Sequence, residues 1–267
     1  MLKKTFKEFM EDKALMLSAS LAYYSIISII PFFVLLFLIA GIIFEPTSLI
    51  QIILSLASQI GGERAYLLMD LIMGSAFSRS NTAISLISLV VLFIGATALF
   101  IHIQDVLNMI WNVPEKKMPT KKKIRFFFKK RIVSFFLIFV LVFLLIIFII
   151  SSFIISNLSY NLNPGLEPIF NVINYVSIFL ITALFFGLIY RFLPDKKISN
   201  KAIVKGSLFT SFLFIIGQIL LGVFFNYADI GGAFGVAGVL IAISAWIYYT
   251  SAIFLFGAEF TYLLNRT

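Results

Sequence analysis

Six long apolar stretches, joined by loops that alternate between basic and nearly uncharged, leave this chain few ways to fold. They run Ala19–Phe44, Thr82–His102, Ile132–Ser156, Val172–Phe192, Ile203–Phe225 and Gly235–Leu264. Each is close to or longer than the ~20 residues a helix needs to cross a hydrocarbon core about 30 Å thick. Inside that core each backbone N–H and C=O must be paired within the protein, which favours helices for runs of this kind. The expected fold is therefore an all-α membrane protein with six transmembrane helices, a single polytopic domain over residues 1–267.

Charge sets the expected orientation. Charged residues are 12% of the chain, against about 25% in an average soluble domain. Every Lys and Arg except Arg64 and Arg79 lies near the N-terminus, around the second and fourth loops, or at the C-terminus. Basic residues concentrate on the cytoplasmic side. Both termini are thus expected on the cytoplasmic side, with residues 1–18 as a cytoplasmic N-terminus and 104–131 as a basic cytoplasmic loop. The apolar run after Lys3, Lys4, Lys7 and Lys13 exceeds a signal h-region, so the first helix is expected to be retained. The first loop, 45–81, is itself apolar. Thr47–Ile60 and Glu63–Met73, broken at Gly61-Gly62, read as an extracytoplasmic helical hairpin, surface-lying or re-entrant.

The chain has no cysteine and one histidine, His102. Thiolate metal sites, disulfides and cysteine nucleophiles are excluded, and a His-based acid/base pair has little to draw on. No cofactor and no metal are expected, and no catalytic residue stands out. In Lys116–Arg131 (KKMPTKKKIRFFFKKR), Lys121, Lys122, Lys123, Arg125, Lys129, Lys130 and Arg131 are expected to hold anionic lipid headgroups at the cytoplasmic face. A basic cluster beside a membrane gains about 1 kcal/mol per residue there. Nucleic acid is not an expected partner; a homo-oligomer or an envelope partner is left open.

Because lipid supplies little hydrophobic force between helices, small and polar faces mark their contacts. On helix six, taken to begin a turn before the sixth stretch, Gly231, Gly235, Gly238, Ala242 and Ala245 share one face, and on helix five Gly206 and Gly217 do; all are expected at helix-packing positions. The first stretch stacks Ser20, Tyr24, Ser28 and Pro31, and helix two, carried past the end of the second stretch, aligns Thr97, Gln104, Asn108 and Trp111. The third is apolar nearly all round and should face lipid. The first, second, fifth and sixth stretches are expected to form the core. Candidate path or functional residues are Tyr23, Tyr24, Ser28, Pro31, Gln104, Asp105, Asn108, Trp111, Gln218 and Glu259. Asp105 and Glu259 are the acidic groups nearest hydrocarbon, where an ionisable group is a functional hypothesis by default. The same faces also read as packing alone.

Four segments together resemble the YihY/BrkB family of bacterial inner-membrane proteins. They are DKALMLSASLAYYSIISIIPFFVLL (Asp12–Leu36), LFIHIQDVLNMIWNV (Leu99–Val113), YRFLPDKKISNKAIVKGSLFT (Tyr190–Thr210) and GAFGVAGVLIAISAWIYYTSAIFLFGAEF (Gly232–Phe260). The family pattern falls on Tyr23, Tyr24, Pro31, Asn108, Trp111, Pro194, Gly206, Gly235, Gly257 and Glu259. Ala245-Trp246-Ile247-Tyr248 departs from the Leu-Trp-Leu-Tyr the family implies. The resemblance implies six helices with both ends cytoplasmic. Some members carry an old ribonuclease BN label, others a virulence label.

RNA cleavage needs metal-binding carboxylates or His pairs near a basic groove, and the cytoplasmic segments offer neither, so no enzyme is expected. No Walker loop is present, and the halves show no internal repeat. The first expectation is a transporter or a lipid-translocating, envelope-related protein with a polar path between the first, second, fifth and sixth helices. The alternative is a non-transporting scaffold or envelope-assembly factor using the outer hairpin.

Overall fold

The computed structural model describes the backbone of residues 1–43, 82–114, 167–227 and 230–266. It also describes Ile132, Phe136, Leu137, Phe139, Val140, Phe143, Leu144 and Ile147 as helical. The expected outer hairpin (45–81) and the basic residues Lys121 to Arg131 lie outside the described residues. All regular structure among the described residues is helical: α1 (Leu2–Glu11), α2 (Ala14–Ile43), α3 (Thr82–Ile110), α4 (Glu167–Phe192), α5 (Asn200–Tyr227) and α6 (Ile230–Arg266). Three segments among them are long and apolar enough to cross a bilayer, Tyr175–Phe192, Asn200–Leu221 and Ile241–Arg266. The protein is an all-helical membrane protein.

The helices outrun the apolar stretches. α6 has 37 residues, about 55 Å at 1.5 Å per residue, well beyond a ~30 Å hydrocarbon core. α3 continues past His102 to Ile110, so Gln104 and Asn108 are helical and i,i+4 neighbours. It stops in a Schellman-type cap. Asn112 takes a left-handed φ of 50°, Val113 N–H donates to Asn108 O at 2.9 Å and Asn112 N–H to Met109 O at 3.1 Å. Asparagine tolerates that conformation better than most residues. α5 starts at a serine cap, with Ala202 N–H donating to Ser199 Oγ at 3.3 Å.

The chain divides into two compact units, Met1–Ile26 with Leu99–Thr267, and Ile27–Ala98. In the second, the buried Ser28 hydroxyl donates to Gly95 O at 3.0 Å. In the first, the closest packing joins α5 to α6 and α4 to α5, with α1 lying against α6. The fourth apolar stretch therefore belongs to the core, which the sequence reading drew from the first, second, fifth and sixth. Its inward row is Ala183, Phe186, Ile189 and Tyr190, all buried. Leu137 and Leu144, seven residues apart, are buried, whereas Phe136, Phe139, Phe143 and Ile147 are exposed. This fits the expectation that the third stretch faces lipid.

The α5–α6 seam is built from two matched glycine–threonine pairs. A Cβ added to Gly206 would lie 2.7 Å from Thr261 Cβ, and one added to Gly257 would lie 2.8 Å from Thr210 Cβ. Each glycine therefore receives the threonine of the opposite helix. Each threonine hydroxyl in turn donates to the glycine one turn back on its own helix, Thr210 to Gly206 O and Thr261 to Gly257 O, both at 2.7 Å. Two turns along α5, a Cβ on Gly217 would meet Ile253 Cδ1 at 2.8 Å. Small residues allow the backbones this approach, and van der Waals contact then holds them.

Candidate functional site: a polar clasp at the ends of α3 and α6

The cap that ends α3 leaves the Trp111 carbonyl without an intrahelical partner, as the last carbonyls of any helix are. Lys196 Nζ donates to it at 2.8 Å and also to Tyr262 Oη at 2.7 Å. The Trp111 indole, fully buried, donates Nε1–H to Ala258 O at 3.1 Å and stacks near Tyr262, with centroids 6.2 Å apart. Arg266 covers the Tyr262 ring 4.4 Å from its centroid. On the neighbouring face of α3, Asn108 and Asp195 exchange bonds. Asn108 Nδ2 donates to Asp195 Oδ2 and Asp195 N–H donates to Asn108 Oδ1, each at 2.9 Å. Gln104 Nε2 adds a longer bond to Asp195 Oδ1 at 3.3 Å. The loop between α4 and α5 is thus gripped at two consecutive residues, its acid by two amides and its lysine by a carbonyl and a phenol.

Below this clasp Tyr190 of α4 enters the seam. Its hydroxyl donates to Phe254 O at 2.7 Å and lies 3.1 Å from Thr210 Oγ1. Phe186, Tyr190 and Phe254 stack with centroids 5.3–6.5 Å apart. Every hydroxyl here reaches a backbone carbonyl.

Glu259 differs. It is 0% exposed, and neither buried carboxyl oxygen makes a hydrogen bond of ordinary geometry among the described residues, although the Asp12 carboxyl stands within side-chain hydrogen-bonding reach. Asp12 and Glu8 of the N-terminal segment and Arg266 of α6 are the charged groups that face it. Leaving a buried carboxyl group unpaired is costly.

A smaller cluster joins α2 to α3. Ser20 Oγ lies 2.9 Å from His102 Nε2 and donates to Leu17 O at 2.7 Å. The Tyr24 ring stacks on His102 with centroids 4.1 Å apart, and Tyr23 packs edge-on against Tyr24 at 5.9 Å. Asp105, one turn along α3 from His102, is exposed.

Of the sequence candidates, the clasp collects Gln104, Asn108 and Trp111, with Glu259 beside it on α6. Tyr23 and Tyr24 join the histidine cluster. Gln218 joins neither: it is exposed on α5 among Ile216, Ile219 and Leu220. It lies one position past Gly217, and only the glycine faces α6. Ala245 is exposed too, whereas Gly238 is buried and Ala242 half-buried. Gly231, Gly235 and Pro31 lie in helices, but their surroundings fall outside the described residues. Sequence reasoning missed Thr261, Tyr190, Tyr262 and the Ser20–His102 contact. It read Asp195 and Lys196 only as loop charges. The Gly-x-x-x-Thr spacing, present twice, was the available signal for the seam.

A family model described as virulence factor BrkB matches residues 5–267. The chain belongs to the BrkB family. The UPF0761 membrane protein of Chlorobium phaeobacteroides is 26% identical over 97% of this chain and 56% of its own length. This chain thus spans a little over half of that relative. A UPF0761 membrane protein of Psychromonas ingrahamii is 30% identical over 33% of the chain and 30% of its own. A ribonuclease-like protein of Bacillus subtilis, YfkH, is 25% identical over 33% of the chain and 32% of its own. No solved structure matches. The family is one of membrane proteins, and the ribonuclease-like name enters through that partial match alone among these three relatives.

Proposed function

We propose that this BrkB-family chain is a translocating protein of the bacterial inner membrane, with both termini cytoplasmic. Its path runs beside α2, α3, α5 and α6, and its substrate is a lipid or another amphipathic molecule. Glu259 carries the reading. A buried carboxyl group whose facing partners include two other acids, Asp12 and Glu8, is a poor choice for a static bundle, and it fits a protein that pairs the group differently in a second conformation. The clasp around Trp111 and Lys196 would be the part that opens, since it holds the α4–α5 loop through side chains. The scarcity of buried charge elsewhere in the spans favours a lipid or neutral route over a coupled ion pump.

The seam favours the second reading, a scaffold or envelope-assembly factor. Its hydroxyls are satisfied by their own helices, and Gln218 points away from it.

Two measurements separate the readings. Single cysteines at Ser20, Tyr24, Ser28, Thr97 and Ala242 in this cysteine-free chain are probed with a membrane-impermeant thiol reagent from each side, with Asn81 and Lys122 as controls. In parallel, vesicles holding the protein and a fluorescent phospholipid are bleached from outside. Reaction at several cysteines, or bleaching beyond the outer leaflet that Glu259→Leu abolishes, is expected. Silent cysteines together with bleaching that stops at one leaflet would select the scaffold.

A further inference from the structure

The N-terminal helix α1 leaves an apolar face uncovered. Thr5 and Phe9 are buried against α6, yet Leu2, Phe6 and Met10, spaced i, i+4 and i+8, are each at least half exposed. Two contacts orient that face. Phe9 meets Phe256 edge-on with centroids 5.5 Å apart, and Glu8 pairs with Arg266 at 3.7 Å. Phe256 lies ten residues, about 15 Å, further into α6 than Arg266. The Phe9 side of α1 therefore points toward the interior of the span, and the Glu8 side toward its end.

At 100° per residue, Leu2 and Phe6 lie about 20° and 60° from Phe9, rotating away from Glu8. Met10 follows at about 100°. Lys3, Lys4, Lys7 and Glu11 fill the remaining half of the circumference. The left-handed turn at Lys13 (φ 51°) lets α2 begin at Ala14 directly after α1.

From this arrangement we infer that α1 is an interfacial helix that inserts Leu2, Phe6 and Met10 into the bilayer leaflet at the C-terminal end of α6. Lys3 and Lys7, which border the apolar face, meet anionic headgroups. The occupant is lipid rather than protein for two reasons. The Phe9 side of α1 packs on a helix that is itself long and apolar enough to cross the bilayer. The apolar face is also edged by lysines, as helices lying in a membrane interface are. This insertion is independent of whether the protein translocates anything.

The test uses full-length protein in lipid nanodiscs, with an environment-sensitive fluorophore on Phe6→Cys or, as a second variant, on Met10→Cys, and on Lys4→Cys as the water-facing reference. Iodide should quench the Phe6 and Met10 probes at least several-fold less than the Lys4 probe. Lipids carrying a nitroxide just below the headgroup should quench them in the reverse order. Replacing anionic lipid by phosphatidylcholine should weaken the nitroxide contact, and added salt should do the same. Equal iodide quenching at all three positions would overturn the inference. So would protection that persists in detergent together with cross-linking of Phe6→Cys between two copies, which would make the face a protein interface.

Discussion

Two faces of the last turns of α6 are built on opposite rules. Gly257 and Thr261 face α5, and there each hydroxyl has its acceptor and each glycine its knob. Glu259 lies about 160° around the same helix from Thr261, and both its carboxyl oxygens lack a hydrogen bond. A few residues of one helix thus combine a contact made for permanence with a group left unsatisfied. The contrast teaches that packing quality is not uniform along a membrane helix. A van der Waals seam holds α5 to α6, while the carboxyl group on the other face makes no hydrogen bond of ordinary geometry. Between these faces Ala258 and Tyr262 form a third, taken up by Trp111 and Lys196.

The most severe way to break the frame is Trp111→Ala, which removes the largest fully buried side chain and its bond to Ala258 O. A loss of about 3–5 kcal/mol is expected, seen as a drop in thermal midpoint in detergent. Gly206→Val attacks the seam itself and should cost about 1–3 kcal/mol through overpacking. Adding Thr261→Gly should recover part of that loss, and no recovery would mean that Gly206 and Thr261 do not face each other. Thr210→Val keeps the shape and removes the hydroxyl shared with Tyr190; a loss near 0.6 kcal/mol is expected, the average for such bonds in membranes. Glu259→Gln sharpens the comparison most, because its effect should be the smallest and of the opposite sign. Because the group faces the acids Asp12 and Glu8, the neutral amide should leave the thermal midpoint unchanged or raised, while lipid movement in vesicles falls. A fall in midpoint as large as that of Gly206→Val would show that the carboxyl group is paired after all.

Much of the clasp was legible before its geometry. Gln104, Asn108 and Trp111 were aligned by helical periodicity, and the family pattern pointed to Asn108, Trp111 and Glu259. Their partners were not legible. Asp195 and Lys196 sit in a basic loop, where the ordinary reading of charge is topology, and 85 to 91 residues separate them from α3. The same distance problem hid Ser20 and His102, 82 residues apart. Gln218 shows the converse error. Polarity near the middle of a span suggested an inward path, but its neighbour Gly217 already occupies the inward direction.

By itself the sequence determined that this chain is helical and membrane-bound, because runs of apolar residues this long have few other ways to satisfy their backbone in lipid. It also determined which helix faces carry small residues. Only the tertiary structure decided which of those faces meet, that α4 joins the core, and that Glu259 turns away from the seam into a sealed space. Those choices depend on the rotation and depth of each helix against its neighbours. Many arrangements of the same stripes bury similar area, and the selection comes from fits as local as one threonine against one glycine.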